Sequence, residues 1–231
     1  MGPLLCELHA HTTWSDGELE LPELVNLYGR NGFDVLAVTD HVVRDRSCLH
    51  RGNFSAYLDQ IEDEAERARR EYGLLVIPGV ELTENDPRPE RAAHALALGL
   101  REFVGLEYGL DEALQRAREA EALLIGAHPY ALDDARLGQR GTARYSQERE
   151  WAAAALHRVE LINRFDVFDW VRQLGLPLVA TGDFHRREHL WTWKTLVVCE
   201  RTEKAVLDHL RSTRPVDLLR ISVDEGAARA A

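Results

Sequence analysis

Apolar and polar positions follow two rhythms along this chain. Short, nearly continuous apolar runs read as buried strands, and the polar stretches between them place apolar side chains three and four residues apart, as on one helix face. The runs predict strands over residues 4–6, 35–39, 74–82, 93–100, 123–127, 158–162, 178–181 and 195–199, with 216–223 as a closing edge strand. The polar stretches predict helices over residues 21–31, 54–72, 111–122, 146–156, 165–174 and 203–213. In the first of these Leu21, Leu24, Val25 and Tyr28 share a face and Gly32 ends the helix. Asp111 and Ser146 stand where N-caps belong. No repeat or low-complexity linker divides the chain, so residues 1–223 read as one domain and 224–231 as a frayed tail.

Strands alternating with helices argue for a parallel sheet. Seven or eight such units in one domain of 231 residues argue for an α/β fold closed into a single-domain (β/α) barrel, with its chemistry at the C-terminal ends of the strands. An open doubly wound sheet is the alternative, but no glycine-rich phosphate loop follows the first strand.

Composition narrows the picture. With 45% hydrophobic residues a sizeable core can form, no apolar run is long enough to span a bilayer, and Met1 is not followed by a signal-peptide pattern. The expected location is the cytoplasm, with no membrane partner. Cys6, Cys48 and Cys199 form no C-x-x-C pair and read as free thiols. A net charge of -11 argues against non-specific nucleic-acid binding.

The chemistry concentrates where strands end. After the first strand comes Glu7-Leu8-His9-Ala10-His11, followed by Ser15-Asp16-Gly17, which turns a carboxylate back toward the same end. On a strand, residues of equal parity share a face, so Glu7, His9 and His11 are expected to point the same way, with Glu7 as a partner for a ligating histidine. Later strands deliver His41, Glu81, His128, Asp183 and His185 to their ends, and His94 stands near the start of its strand. The other histidines, His50, His157, His189 and His209, read as surface or helix-end residues.

H-x-H-T-x-x-S-D-G, T-D-H at 39–41, G-V-E-L-T at 79–83, the lone His94, A-H-P at 127–129 and D-x-H at 183–185 occur in the order of the PHP (polymerase and histidinol phosphatase) superfamily, which the chain resembles from Leu4 to about Leu196. The resemblance implies a distorted (β/α)7 TIM-like barrel holding two or three divalent transition-metal ions. Carried over, His9, His11, Glu81 and Asp183 would hold the first ion. Glu81 would bridge to a second, completed by His94 and His128, and Asp16, His41 and His185 would hold a third. A ligand set rich in imidazole and poor in carboxylate favours zinc, iron or manganese over magnesium or calcium.

The activity so implied is phosphoester hydrolysis. Water held between metals loses a proton near neutral pH, its pKa falling from about 15.7 to 7, and the resulting hydroxide attacks phosphorus in line with the leaving oxygen. Glu81 is central to that arrangement, and His185 or His128 could return a proton to the leaving group. Arginines fill the loops on the same rim: Arg44 after the second strand, Arg140 after the fifth, Arg164 after the sixth and Arg186 after the seventh. They are expected to draw in a small anionic substrate, a nucleotide or sugar phosphate, with the loops at 41–54 and 131–144 forming a partial lid that favours more than one negative charge. The competing readings are a hydrolase of the same superfamily acting on a carbamate, ester or sulfate, and a non-catalytic metal-binding module. An amidohydrolase would need a strand-borne lysine, and neither Lys194 nor Lys204 is placed for it. A nuclease lacks a basic stripe or aromatic platform.

Overall fold

The computed structural model describes residues 2–138 and 141–222. Its first strand, β1 (Leu4–Glu7), is buried at every position, as a strand covered on both faces must be. Helix α1 (Leu21–Arg30) begins with a capping box in which Glu20 and Glu23 each accept the other's backbone N–H, and Pro22 stands in its first turn. It leads to β2 (Val35–Val38) and a short β3 (His41–Val43). The long α2 (Phe54–Tyr72) ends at Gly73, whose φ of 66° lies in the left-handed region that glycine tolerates. Then follow β4 (Leu75–Glu84), β5 (Ala93–Leu98), α3 (Leu110–Glu119) and β6 (Leu123–Ala127). Two short helices, α4 (Arg144–Gln147) and α5 (Arg149–Ala155), precede β7 (Arg158–Asn163) and its hairpin partner β8 (Asp166–Val167). The chain closes with β9 (Leu178–Thr181), β10 (Trp193–Val197), α6 (Glu203–Arg211) and β11 (Asp217–Arg220).

The strands form one mixed sheet in the order β11-β10-β1-β2-β4-β5-β6-β7-β8, with β3 added on β4 and β9 on β7. The sheet curls. Beyond the ends of β1 and β9 a single bridge joins Ala10 to Phe184, where His11 donates its N–H to the Phe184 carbonyl at 2.9 Å. This is an α/β fold, but not the uniform parallel alternation expected from the sequence. Strand β5 runs antiparallel to both β4 and β6. The physical reason is the link from β4 to β5, which holds only a 3-10 turn (Pro89–Arg91), far too short for the crossover that a parallel pair requires. Strand β10 is likewise antiparallel to β1.

Local expectations shift in the same way. Gly109, not Asp111, caps α3, and Asp111 sits in its first turn, where a carboxylate suits the helix dipole. Ser146 donates to the Ala143 carbonyl instead of capping, and the chain breaks at Glu148 between α4 and α5. The helix expected over 165–174 is the hairpin strand β8 and a 3-10 turn (Asp169–Leu174), because Arg164 at φ 53° turns the chain sharply. The expected tail at 224–231 lies outside the described residues. The three cysteines are free thiols.

One apolar layer gathers Leu4, Cys6, Val35, Ile77, Leu96, Ile125 and Val179 under Val206, Leu207 and Leu210 of α6. No helix of the described residues is long and apolar enough to cross a membrane.

Candidate metal centre

Glu81 is the hub. It sits near the end of β4, fully buried, between strands that bring imidazoles from both sides. Its Oε2 lies 3.3 Å from His9 Nε2, 3.4 Å from His11 Nε2 and 3.0 Å from His41 Nδ1. Its Oε1 lies 3.0 Å from His94 Nδ1 and 3.0 Å from His128 Nε2. The reversed direction of β5 explains why His94, near the start of its strand, reaches the same rim as residues at the ends of the others: it is paired with Thr83 and Ala127.

Two further carboxylates complete the cluster. Asp183 Oδ1 is 3.5 Å from both His9 Nε2 and His11 Nε2 and 3.3 Å from His185 Nδ1. Asp16 Oδ1 is 3.2 Å from His185 Nε2 and 3.4 Å from His41 Nε2. Three groups of donor atoms therefore converge: His9, His11 and Asp183; His9, Glu81 and His128; and His11, Asp16, His41 and His185. The cluster brings together the nine sequence-derived candidates.

Local structure holds these groups in place. Asp16 rides on a turn fixed by Asp40, which accepts bonds from the Thr12 N–H, the Thr12 hydroxyl and the Ser15 hydroxyl at 2.6–2.8 Å. His128, Arg164 and Asp183 have φ of 28°, 53° and 42°, a region costing about 1–3 kcal/mol for a residue with a side chain. Such strain persists only where surrounding contacts enforce it.

The ionisation pattern reflects carboxylates and imidazoles crowded together in a buried cluster. Burial alone would raise Glu81, but His41 and His9, with hydrogen bonds from His128 and His41, hold it well below the usual carboxylate range. Asp183 is held low in the same way, against burial, by His9, His11, His185 and Arg164. Burial would lower His185, yet Asp16 and Asp183 push it up to about 9. His11 goes the other way, down to about 3, through burial and its cationic neighbour His41.

Whether this set fits a metal can be judged from one atom. His11 Nε2 is buried and makes no hydrogen bond, while it faces Glu81 and Asp183. A lone pair left unpartnered among carboxylates is what a divalent ion would satisfy. The remaining ring nitrogens are occupied: His9 Nδ1 by Glu160 at 2.9 Å, His94 Nε2 by Asn85 Oδ1 at 3.0 Å and His128 Nδ1 by Thr142 Oγ1 at 3.3 Å. Such partners set which nitrogen is free to ligate.

Sequence reasoning placed Glu7 in that supporting role, and the structure corrects it. Strand β1 ends at Glu7, so the two-residue alternation does not carry through to His9. The Glu7 carboxylate does not reach the His9 ring; it pairs with Lys194 Nζ at 2.9 Å and accepts from Tyr28 and from the Leu8, His9 and Gly182 backbone N–H groups. Glu160 was missed, although a glutamate in the apolar run Val159–Ile162 is itself a signal, since a buried charge requires a partner. His189, expected at the surface, accepts the His185 backbone N–H on its Nδ1 at 3.1 Å.

The centre opens into a cavity of about 760 Å³, lined also by Asn85, Asp86, Tyr130, Asn163, Arg164 and Asp166. Of the four candidate arginines, Arg164 lines it: its guanidinium bonds the Asp183 carbonyl and Asp183 Oδ2 at 2.9–3.0 Å and lies 3.0 Å from His185 Nδ1. Arg44 is paired with Glu84 at 2.8 Å and borders a separate, smaller recess. Arg186 is exposed ahead of the 3-10 turn Arg187–Leu190, and Arg140 lies outside the described residues. Arg136 and Arg144, in the expected lid, are neutralised by Asp134 and Asp166, and by Asp111 and Glu148.

Comparison with known proteins agrees with this geometry. The family model of the PHP domain matches residues 7–134. An uncharacterized protein of Methanocaldococcus jannaschii is 29% identical over 80% of this chain and 83% of its own length. A 5′-3′ exoribonuclease of Haemophilus influenzae is 33% identical over 52% of this chain, but the match spans only 38% of that protein. A two-domain protein from Bacteroides vulgatus, described as containing a predicted PHP-like metal-dependent phosphoesterase, superposes with a TM-score of 0.69 at 21% identity, over 99% of this chain and 69% of the other.

Proposed function

Because the chain belongs to the PHP domain family, we propose that it is a metal-dependent phosphoesterase that hydrolyses a small phosphomonoester of the nucleotide or sugar-phosphate class. The observation that carries this reading is Glu81, one buried carboxylate faced by five imidazoles, with Asp183 and Asp16 beside it. His9, His11 and Asp183 would hold one divalent ion, Glu81 with His94 and His128 a second, and Asp16 with His41 and His185 a third. Manganese, iron and zinc suit these donors. When bound, such ions supply an acidified water and positive charge for the phosphoryl oxygens.

The remaining work falls to the chain. Arg164, tied to Asp183 and His185, places a fixed positive charge on the cavity wall where a phosphate would enter. His128 and His185 both line the cavity, and whichever of the two is not holding an ion is the candidate for passing a proton to the leaving oxygen. The cavity volume suits a small molecule. The Haemophilus influenzae relative favours a second reading, stepwise 5′-to-3′ cleavage of RNA.

One screen separates these readings. Phosphorylated metabolites, p-nitrophenyl esters of phosphate, sulfate and acetate, and a 5′-phosphorylated oligoribonucleotide are each offered with added manganese. Turnover of phosphomonoesters, abolished by a chelator, is expected. Turnover of the oligoribonucleotide alone favours the second reading. Cleavage of only the sulfate or acetate ester contradicts both.

A further inference from the structure

Glu160 is as buried as Glu81, yet no ligand set includes it. It lies on β7, and its two oxygens receive four donors from different parts of the sheet. Oε1 accepts from His9 Nδ1 at 2.9 Å and from the Thr181 hydroxyl at 2.6 Å. Oε2 accepts the His128 backbone N–H at 2.6 Å and Asn163 Nδ2 at 2.9 Å. Among the described residues, its one ion-pair partner is the His9 ring. A carboxylate this deeply buried persists only while those four donors and the His9 ring stay in place.

We propose that Glu160 is the positioning residue that sets His9 and His128 together, so that one carboxylate orients both buried metal positions. The proposal rests on the metal-dependent reading of the site. Accepting from His9 Nδ1 fixes the tautomer that leaves Nε2 free, and Nε2 faces Glu81 and Asp183. Accepting from the His128 N–H holds that residue at its φ of 28°, the conformation that points its Nε2 at Glu81. The Glu160 contacts thus link the end of β6 to the segment after β1.

Glu160→Gln is an incisive substitution because the His128 N–H can only donate, and His9 Nδ1 must donate when its Nε2 is free to ligate. Whichever way the amide turns, its NH₂ faces one of these two, while the Thr181 hydroxyl and the Asn163 amide can turn to accept. Wild type and variant are stripped with a chelator, checked by circular dichroism, and titrated with Mn²⁺ by equilibrium dialysis, giving affinity and stoichiometry independently of activity. The expected result is a loss of affinity of about 10–100-fold at both buried positions, with the Asp16, His41 and His185 position retained. Nitrogen-15 spectra of the zinc-loaded wild type should show the His9 proton on Nδ1. Thr181→Val removes one donor and should fall between wild type and Glu160→Gln.

A folded Glu160→Gln that binds Mn²⁺ with wild-type affinity and stoichiometry overturns the proposal, as does loss of one buried position only. If Glu160→Gln does not fold, Thr181→Val and Asn163→Ala decide on the same scale, and unchanged affinity in both overturns it. Wild type that binds no metal overturns the metal-dependent reading itself, and is seen before any variant is compared.

Discussion

His11 Nε2 lies 3.4 Å from Glu81 Oε2 without a hydrogen bond between them, and both residues are wholly buried. In a protein interior that arrangement is unfavourable as it stands and favourable once a cation sits between the two atoms.

Glu81 faces more ligand candidates than any other side chain, so it should be the most sensitive position. Glu81→Gln keeps the shape and removes the charge. It should lower metal affinity and kcat/KM by about 100-fold or more, beyond the usual cost of losing an outer partner. His157→Ala should leave metal content unchanged, since the His157 ring accepts the Leu124 N–H at 3.0 Å and belongs to none of the ligand groups. Metal analysis and kinetics on the two variants check this.

The outer position should be the most labile and the most sensitive to pH. The Asp16 side chain is 57% exposed, against 0% for Glu81. Without metal, His185 is pushed up to about 9, against burial, by Asp16 and Asp183, so at neutral pH it carries a proton that a metal must displace. His41 at the same position is likewise held well above its ordinary value, against burial, by Glu81 and Asp16. Affinity there should therefore rise with pH, by about a hundredfold per unit while both imidazoles must give up a proton and about tenfold per unit when one must, and fall in acid. Mn²⁺ titrations at several pH values measure the slope, and a chelator should remove this ion first.

Gly182 has no room for a side chain, because a Cβ there would overlap Glu7 Oε2 and Lys194 Nζ. Gly182→Ala should break that buried pair and displace the neighbouring Asp183. A loss of about 3 kcal/mol is expected, lowering the thermal midpoint by about 6–12 °C, together with weakened metal binding. Thermal melts with and without metal separate the two effects.

His157 offers a check on the fold apart from the metals. Burial first, then Arg118 and Arg211, push it down to about 4 from an ordinary 6.5. The unfolded chain therefore binds a proton between those values that the folded chain refuses, so stability should rise with pH across that window. His157→Gln should flatten the rise in denaturant unfolding followed from pH 4 to 6.5.

The candidate ligands were legible because strand ends punctuate the sequence, and His9, His11, His41, Glu81, His128, Asp183 and His185 all fall there. His94 was legible as a residue type, but its geometry was not. A run such as Ala93–Leu98 carries no mark of its direction, and only the short link from β4 makes it antiparallel. Glu7 was assigned to His9 by strict alternation, which fails where β1 stops pairing. Arg44 was read from loop position alone, and Glu84, which neutralises it, lies 40 residues away in sequence. Glu160 was missed because His9, His128 and Thr181, which bind it, come from other segments of the chain, and His189 because its contact with His185, only four residues away, depends on the local 3-10 turn.

This cluster should hold metal. Elemental analysis of gently purified protein, repeated after reconstitution with manganese, iron and zinc, is the direct measurement. Two or three ions per chain are predicted, with phosphomonoester turnover lost on chelation and regained on adding metal back. Fewer than one ion per chain after reconstitution would contradict it.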